Sequence, residues 1–273
     1  MKKTFLFLAA PIVASMVHAG NLLPAADDND SLRLEHLQEV VVRGVNAQKN
    51  APFAVANIKK TELQSFAKTG KELPFLFSQT PGILAWSENG VGTGTTYMRI
   101  RGAGGSRINV TLDGVPLNSP EDQCVFWANM NSYASLLGKV QIQRGVGTST
   151  NGAGAFGASV NMQTENIGTE PYVGLDLSGG SYYSHKETLR FGTGLIKEHW
   201  GLQGRLSNIG SKGYLDRAST KLNSYLVQAG YFSDNTVVKF ITWNGVEETY
   251  HAWNYTSKYE QSLYGRTYNS CGE

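Results

Sequence analysis

The chain has 273 residues, enough for one or two domains at roughly 100–200 residues each. Its net charge of +2 gives no general attraction for nucleic acid. Glycine supplies 31 residues and aromatics 11%, against 17% charged, a balance that excludes disorder and suits many strands joined by tight turns.

Lys2 and Lys3 precede an uncharged apolar run from Phe5 to Val17, and Val17-His18-Ala19 sets small residues at a cleavage position. The run falls short of the ~20 residues a spanning helix needs, so it reads as an export signal cut after Ala19 rather than a retained anchor. No Cys follows the cut, which argues against lipidation there. The remaining chain has no long apolar run, so a mature protein that spans a membrane must do so with alternating strands.

Asn21 to Asp30 is a polar, acidic leader. In Glu39-Val40-Val41-Val42, three valines favour an extended strand, and Gly44 to Pro52 supplies no neighbouring partner. Two readings stay open: a buried first strand of the next domain, or a strand offered to another protein. Thr61 to Gly70 reads as a helix, with Thr61 and Gln64 in a capping-box pattern, Leu63, Phe66 and Ala67 on one face and Gly70 as the stop. A second helical stretch, Leu73 to Gln79, ends before Pro81-Gly82.

Beyond the flexible Gly90–Gly94 loop, the pattern turns to strands. Tyr97 to Arg101 alternates, and Ile108 to Leu112 closes on Asp113-Gly114, a hairpin signal. Asn118 to Asn131 is a polar loop carrying Cys124, Phe126 and Trp127; Val140 to Arg144 and Ala158 to Gln163 are further strands. Residues 50 to 165 form one small α+β domain on this reading. From Pro171 about five longer strands follow, with Val173, Leu175 and Leu177, then Leu189 and Phe191, Trp200, Leu202 and Leu206, Tyr225 and Val227, and Val238 and Phe240 on one face. Short connections at Lys197–His199 and Ser233–Asn235 alternate with longer ones at Gly179–His185 and Ser211–Thr220. A transmembrane barrel has this texture, and so does a soluble β-sandwich; the export signal favours the barrel.

Catalytic chemistry is not legible. Cys124 and Cys271 are too few for a metal cluster, and one bridge or two free thiols both remain open. The five histidines show no zinc-type pair. Gly152 to Gly157 fits dinucleotide spacing, but Ala158 to Gln163 reads as strand, so no helix N-terminus is available to hold a pyrophosphate.

These residues resemble a known family. Glu39-Val40-Val41-Val42 is similar to a TonB box. Met98-Arg99-Ile100-Arg101-Gly102, Arg107 to Val110 and Asp113-Gly114-Val115-Pro116 resemble the centre of the plug domain of a TonB-dependent outer-membrane receptor. Val140 to Gly145, followed by Asn151 to Ala155, resembles the closing plug motif, with Asn151 where Tyr is usual.

The resemblance implies an α+β plug domain followed by the first antiparallel strands of a transmembrane β-barrel. The corresponding division is a signal peptide at 1–19, a periplasmic leader with the TonB box at 20–49, the plug at 50–168 and about five barrel strands at 169–273. It turns Glu39, Val40, Val41 and Val42 into a TonB-binding strand. It implies a Gram-negative outer-membrane receptor, not an enzyme and without cofactor. The implied activity is TonB-coupled uptake of a scarce ligand, a ferric siderophore or other iron complex; a cobalamin or haem receptor, or a non-functional fragment, are the alternatives. TonB, outer-membrane lipid and a small metal complex are the implied partners, and nucleic acid is not among them. Arg99, Arg101 and Arg144 would pair with carboxylates on the barrel wall, or else carry ordinary surface charge. Trp86, Glu121, Asp122, Phe126 and Trp127 on the plug loops, with Tyr250 and Trp253 beyond the fifth strand, would meet the ligand. Phe126 and Trp127 are placed there because a polar loop offers them no evident burial. Trp253 fits equally an aromatic belt at the membrane interface. Family barrels have about 22 strands, and five would leave backbone edges unpaired in lipid. A truncated product or a partial sequence is therefore expected.

Overall fold

A computed structural model of the protein describes residues 46–47, 51–146, 155–233 and 236–271. The expected export signal, the leader and Glu39 to Val42 lie outside the described residues.

The N-terminal unit is built on a five-stranded sheet in the order β1-β6-β7-β4-β5. Its strands are β1 (Ala54–Lys59), β4 (Ile108–Leu112), β5 (Val115–Pro116), β6 (Leu137–Arg144) and β7 (Ala158–Thr164). A separate hairpin pairs β2 (Ile83–Ser87) with β3 (Thr96–Ile100). Alternation decides what each strand buries. On β3, Thr96, Met98 and Ile100 face inward, while Tyr97 and Arg99 stay exposed. Two short helices, α1 (Lys60–Ala67) and α2 (Leu73–Phe77), close the core with Leu63, Leu73, Leu76 and Phe77 against Val140, Ile142 and Val160 of the sheet. Each such side chain contributes roughly 1.5–3 kcal/mol when fully buried.

Two sequence expectations need correction here. The cap of α1 is not Thr61 with Gln64. Its N-cap is Lys59, whose backbone N–H donates to Glu62 Oε2 at 2.9 Å, so the helix begins earlier. Nor is burial of Trp127 hard to arrange: a 3-10 turn, Trp127–Met130, rolls the indole inward to 5% exposure, edge-on to Phe77 with ring centroids 5.7 Å apart. The polar residues of that loop misled because one tight turn is enough to point a single side chain the other way. The Asp113-Gly114 hairpin forms as expected between β4 and β5. Both residues have positive φ, 48° and 84°, the condition for a two-residue turn that matches strand twist.

The second unit is an antiparallel sheet of five strands in sequence order: β8 (Pro171–Gly180), β9 (Ser184–Ile196), β10 (Trp200–Ser211), β11 (Thr220–Ser233) and β12 (Thr236–Thr249). The β8–β9 connection is tighter than the sequence suggested. The strands run on to Gly180 and Ser184, and Tyr182 and Tyr183 take left-handed conformations, φ 60° and 54°. One face of the sheet presents exposed Val173, Leu175, Leu177, Leu206, Val238 and Phe240. The other presents Lys186, Thr188, Gln203, Arg205, Ser207 and Gln228 beneath the first unit, with Ile209, Leu222, Leu226 and Phe232 buried among them. Such an arrangement is mostly polar inside and apolar outside, the pattern of a barrel wall. At the end carrying the β9–β10 turn, Trp200 leans on Tyr231 with centroids 4.8 Å apart on the exposed face. A ring pair at that height suits an interfacial girdle. No described helix is long and apolar enough to cross a membrane, which says nothing about strands. The chain ends in a loop containing α3 (Lys258–Tyr264).

Candidate functional site: the plug apex and its seam with the wall

The β2–β3 hairpin and the segment joining its strands bring the first unit to the end of the wall that carries the long loops. Trp86 on β2 stacks on Tyr97 of β3, centroids 5.5 Å apart, and the Arg99 guanidinium lies over the same indole at 6.0 Å. Tyr97 Oη donates to Glu88 Oε1 at 2.7 Å. Burial first, and then the Glu88 carboxylate that accepts this bond, hold the phenol above its ordinary value. The other Glu88 oxygen lies 3.3 Å from Nδ1 of His251, in the loop after β12, and His251 stacks on Trp253 at 4.2 Å. Glu88 is almost fully buried by these neighbours. The result is a continuous chain of rings and one carboxylate, Trp86–Tyr97–Glu88–His251–Trp253, reaching from the first unit into a long loop. Around it Tyr250, Trp253 and Tyr255 remain exposed.

Below this apex the two units meet along a polar seam. Thr93 and Thr220 hydroxyls lie 3.1 Å apart, and the Tyr214 N–H donates to the Asn89 carbonyl at 2.8 Å. Deeper, Arg205 donates to the Asn131 carbonyl at 3.2 Å, and Lys186 donates to the Ala67 carbonyl at the end of α1. Glu72, beside α2, is 1% exposed, and neither of its carboxylate oxygens has a hydrogen-bond partner among the described residues. Burial pushes its carboxyl well above the usual carboxylate range and Glu247 adds to this, while Lys186, Arg205 and the Gly94 backbone pull the other way. At the far end, Lys239 pairs with Asp113 at 3.0 Å and also donates to Thr164, whose N–H and hydroxyl both donate to Asp113.

The expected site residues scatter over this frame. Trp86 and Trp253 belong to the apex chain, and Tyr250 lies exposed in the same loop. Asp122 accepts from the Cys124 N–H within its own loop, and the Glu121 N–H donates to Ser119, so both stay local. Phe126 is 60% exposed, whereas Trp127 has lost the exposed position on which its ligand role rested. Arg144 donates to the Pro81 carbonyl at 2.6 Å and Arg101 to the Arg144 carbonyl at 3.2 Å, both within the first unit. Cys124 and Cys271 are separate thiols, and burial raises that of Cys124. Sequence reasoning missed Glu88, Tyr97 and His251. The only signal was indirect: Tyr97 shares its strand face with Arg99, and His251 sits between Tyr250 and Trp253. Strand β7 begins directly after Gly157, so the glycine pattern there opens no helix.

Residues 47–159 match the family model described as the TonB-dependent Receptor Plug Domain. Residues 47–159 thus carry a TonB-dependent receptor plug domain, and the five-stranded antiparallel sheet that follows matches the fold of part of the solved receptor structures. Among curated proteins the chain is 24% identical to the ferric enterobactin receptor of Pseudomonas aeruginosa, over 85% of this chain and 31% of that protein. Among solved structures it resembles the unliganded ferric citrate transporter FecA, with a TM-score of 0.62 at 21% identity over 83% of this chain and 36% of the other. It also resembles the ferripyoverdine receptor of the outer membrane of Pseudomonas aeruginosa, with a TM-score of 0.59 at 16% identity over 75% and 26%. The copper transporter OprC gives a TM-score of 0.59 at 18% identity, over 77% and 32%. At such identities the structural likeness speaks for the fold. The chain spans about a third of the length of the curated relative it matches.

Proposed function

We propose that the chain supplies the plug and first wall of a receptor that imports a scarce metal complex, of the ferric siderophore type, by energy-coupled transport. The observation that carries this reading is the Glu88–His251 contact, which ties the plug apex to a long loop of the wall and creates one surface shared by both. A ligand touching Trp86, Tyr250 or Trp253 touches plug and wall together, so binding can be felt by the plug. The iron-complex class is supported by relatives whose names carry ferric enterobactin, ferric citrate and ferripyoverdine.

The mature chain begins at Gly20 on this reading, and the leader presents Glu39 to Val42 as a strand for TonB to pair with. Strand addition needs every alternate backbone N–H on one edge. In the intact receptor, Val41→Pro should abolish uptake of the metal complex and leave its binding to cells unchanged, because proline removes a ladder donor. Normal uptake by that variant would end the TonB-box assignment. Arg99, Arg101 and Arg144 are proposed to meet carboxylates of wall strands beyond the five seen here. Arg144 Nε is buried without a partner among the described residues, consistent with that reading.

A further inference from the structure

Long loops at the rim of a ligand site commonly open at little cost and order only when something binds. The wall loops over this plug are tied differently. Asn269, in the segment after β12, is 1% exposed, and its amide nitrogen donates to two carbonyls. One is Asp216 O, in the β10–β11 loop, at 2.8 Å; the other is His251 O, at the start of its own segment, at 3.3 Å. An amide nitrogen carries two hydrogens, so both are used, while Oδ1 accepts from the Cys271 N–H at 3.0 Å. Two further bonds join the same segments. The Asp216 N–H donates to Thr267 O at 2.8 Å, and the Arg217 guanidinium donates to Asn269 O. Arg217 holds a left-handed φ of 55°, a conformation that is costly for a long side chain and persists where its surroundings fix it.

Both segments also reach the plug, at adjacent residues. His251 Nδ1 lies 3.3 Å from Glu88 Oε2, and the Tyr214 N–H, two residues before Asp216, donates to Asn89 O at 2.8 Å. Asn89 is itself fixed: its side chain donates to Thr93 Oγ1 at 2.7 Å and accepts from the Val91 N–H at 3.0 Å. The contacts close a circuit, Glu88–His251–Asn269–Asp216–Tyr214–Asn89. In an open chain of contacts a loop swings by breaking one link; in a closed circuit it must break two.

We infer that Asn269 is a positioning residue, which joins the β10–β11 loop, the segment after β12 and plug residues Glu88 and Asn89 into one preformed body. The surface at Tyr250 and Trp253 then stands ready before a ligand arrives, and no closure of these two loops is needed to build it. Such preorganisation removes the ordering cost from the binding step. That this surface receives a ligand rests on the function proposed above; the circuit does not.

The test is hydrogen exchange on the intact receptor in lipid nanodiscs, first with no ligand. Tyr214 and Asp216 should exchange slowly in the parent. Asn269→Ala should speed both about tenfold or more, since a buried acceptor left unpaired favours opening, with the middle of β10 and β11 unchanged. Asn269→Asp, equal in size, sets an oxygen against the two carbonyls and should speed them likewise. Unprotected exchange at Tyr214 and Asp216 in the parent overturns the inference, as does parental exchange in either variant. If neither variant inserts, the parent decides: protection before ferric enterobactin is added supports the preformed body, and protection that appears only afterwards overturns it. With ferric enterobactin as the probe, Asn269→Ala should slow association about tenfold and leave dissociation near the parental rate, because only the competent fraction falls. A change confined to dissociation would make Asn269 a ligand contact and sink the positioning role. A parent that does not bind ferric enterobactin counts against the iron-complex reading, while the ligand-free exchange still decides the circuit.

Discussion

Individual side chains at the apex and the seam divide into ligand-facing and structural groups by what they touch. Trp86→Ala and Trp253→Ala should each weaken binding of a ferric siderophore to the intact receptor by about 1–3 kcal/mol, the usual range for an aromatic anchor, with barrel assembly unaltered. Equal affinity for parent and both variants would remove the apex from the ligand site. Trp127→Ala should behave differently. Its indole fills the plug core against Phe77, so truncation should cost about 3–5 kcal/mol of plug stability, read by thermal melting, without a specific loss of affinity. Glu72 adds a pH dependence whose sign follows from its raised carboxyl. A group with a higher pKa folded than unfolded stabilises the folded state below the unfolded value and loses that contribution as pH rises through the folded value. Seating of the plug should therefore weaken upward from the ordinary carboxylate value of about 4.3. Glu72→Gln should flatten the melting-versus-pH profile, and an unchanged slope would contradict the assignment.

Elements meet at the seam through unusually small spacings, and Gly94 shows this best. It has φ +73°, and a Cβ there would lie 2.7 Å from Thr220 Cγ2 and 2.9 Å from Glu247 Oε1. Gly94→Val should wedge the β2–β3 segment off β11 and β12, exposing the seam to protease under conditions where the parent resists; equal resistance would mean that the plug sits elsewhere. Hydrophobic period made most of these elements legible beforehand. The alternation of Val173, Leu175 and Leu177 located the wall, and Asp113-Gly114 located the hairpin, because both are local rules. Where two elements must meet, sequence was silent. Trp127 turning inward and His251 reaching Glu88 depend on neighbours distant in the chain, and no residue type announces them, while the cap of α1 is local but falls on Lys59, a residue type that seldom caps. The expected TonB-binding residues rest on the resemblance alone.

Across the whole molecule, the two faces of the β8–β12 sheet impose opposite rules on substitution. Leu206 is half-exposed on the apolar face in the middle of β10, so Leu206→Lys places a charge in lipid and should cost about 2–4 kcal/mol near the midplane. Unfolding of the assembled receptor in urea would report it, and an unperturbed midpoint would mean that the inside and outside of the wall are reversed. The polar seam has a further consequence, for biogenesis. In the proposed receptor, a plug not yet enclosed by its wall would show to water the Glu72, Asp113 and Thr93 surface, while most of its hydrocarbon is packed around Leu63, Phe77 and Ile142 and only a small part waits for Leu226 and Ile241 of the wall. A surface of that kind is poor bait for aggregation and for chaperones that seek apolar patches. The wall is the opposite, greasy on the side that must find lipid, so quality control during export would fall on the strands rather than on the plug they enclose.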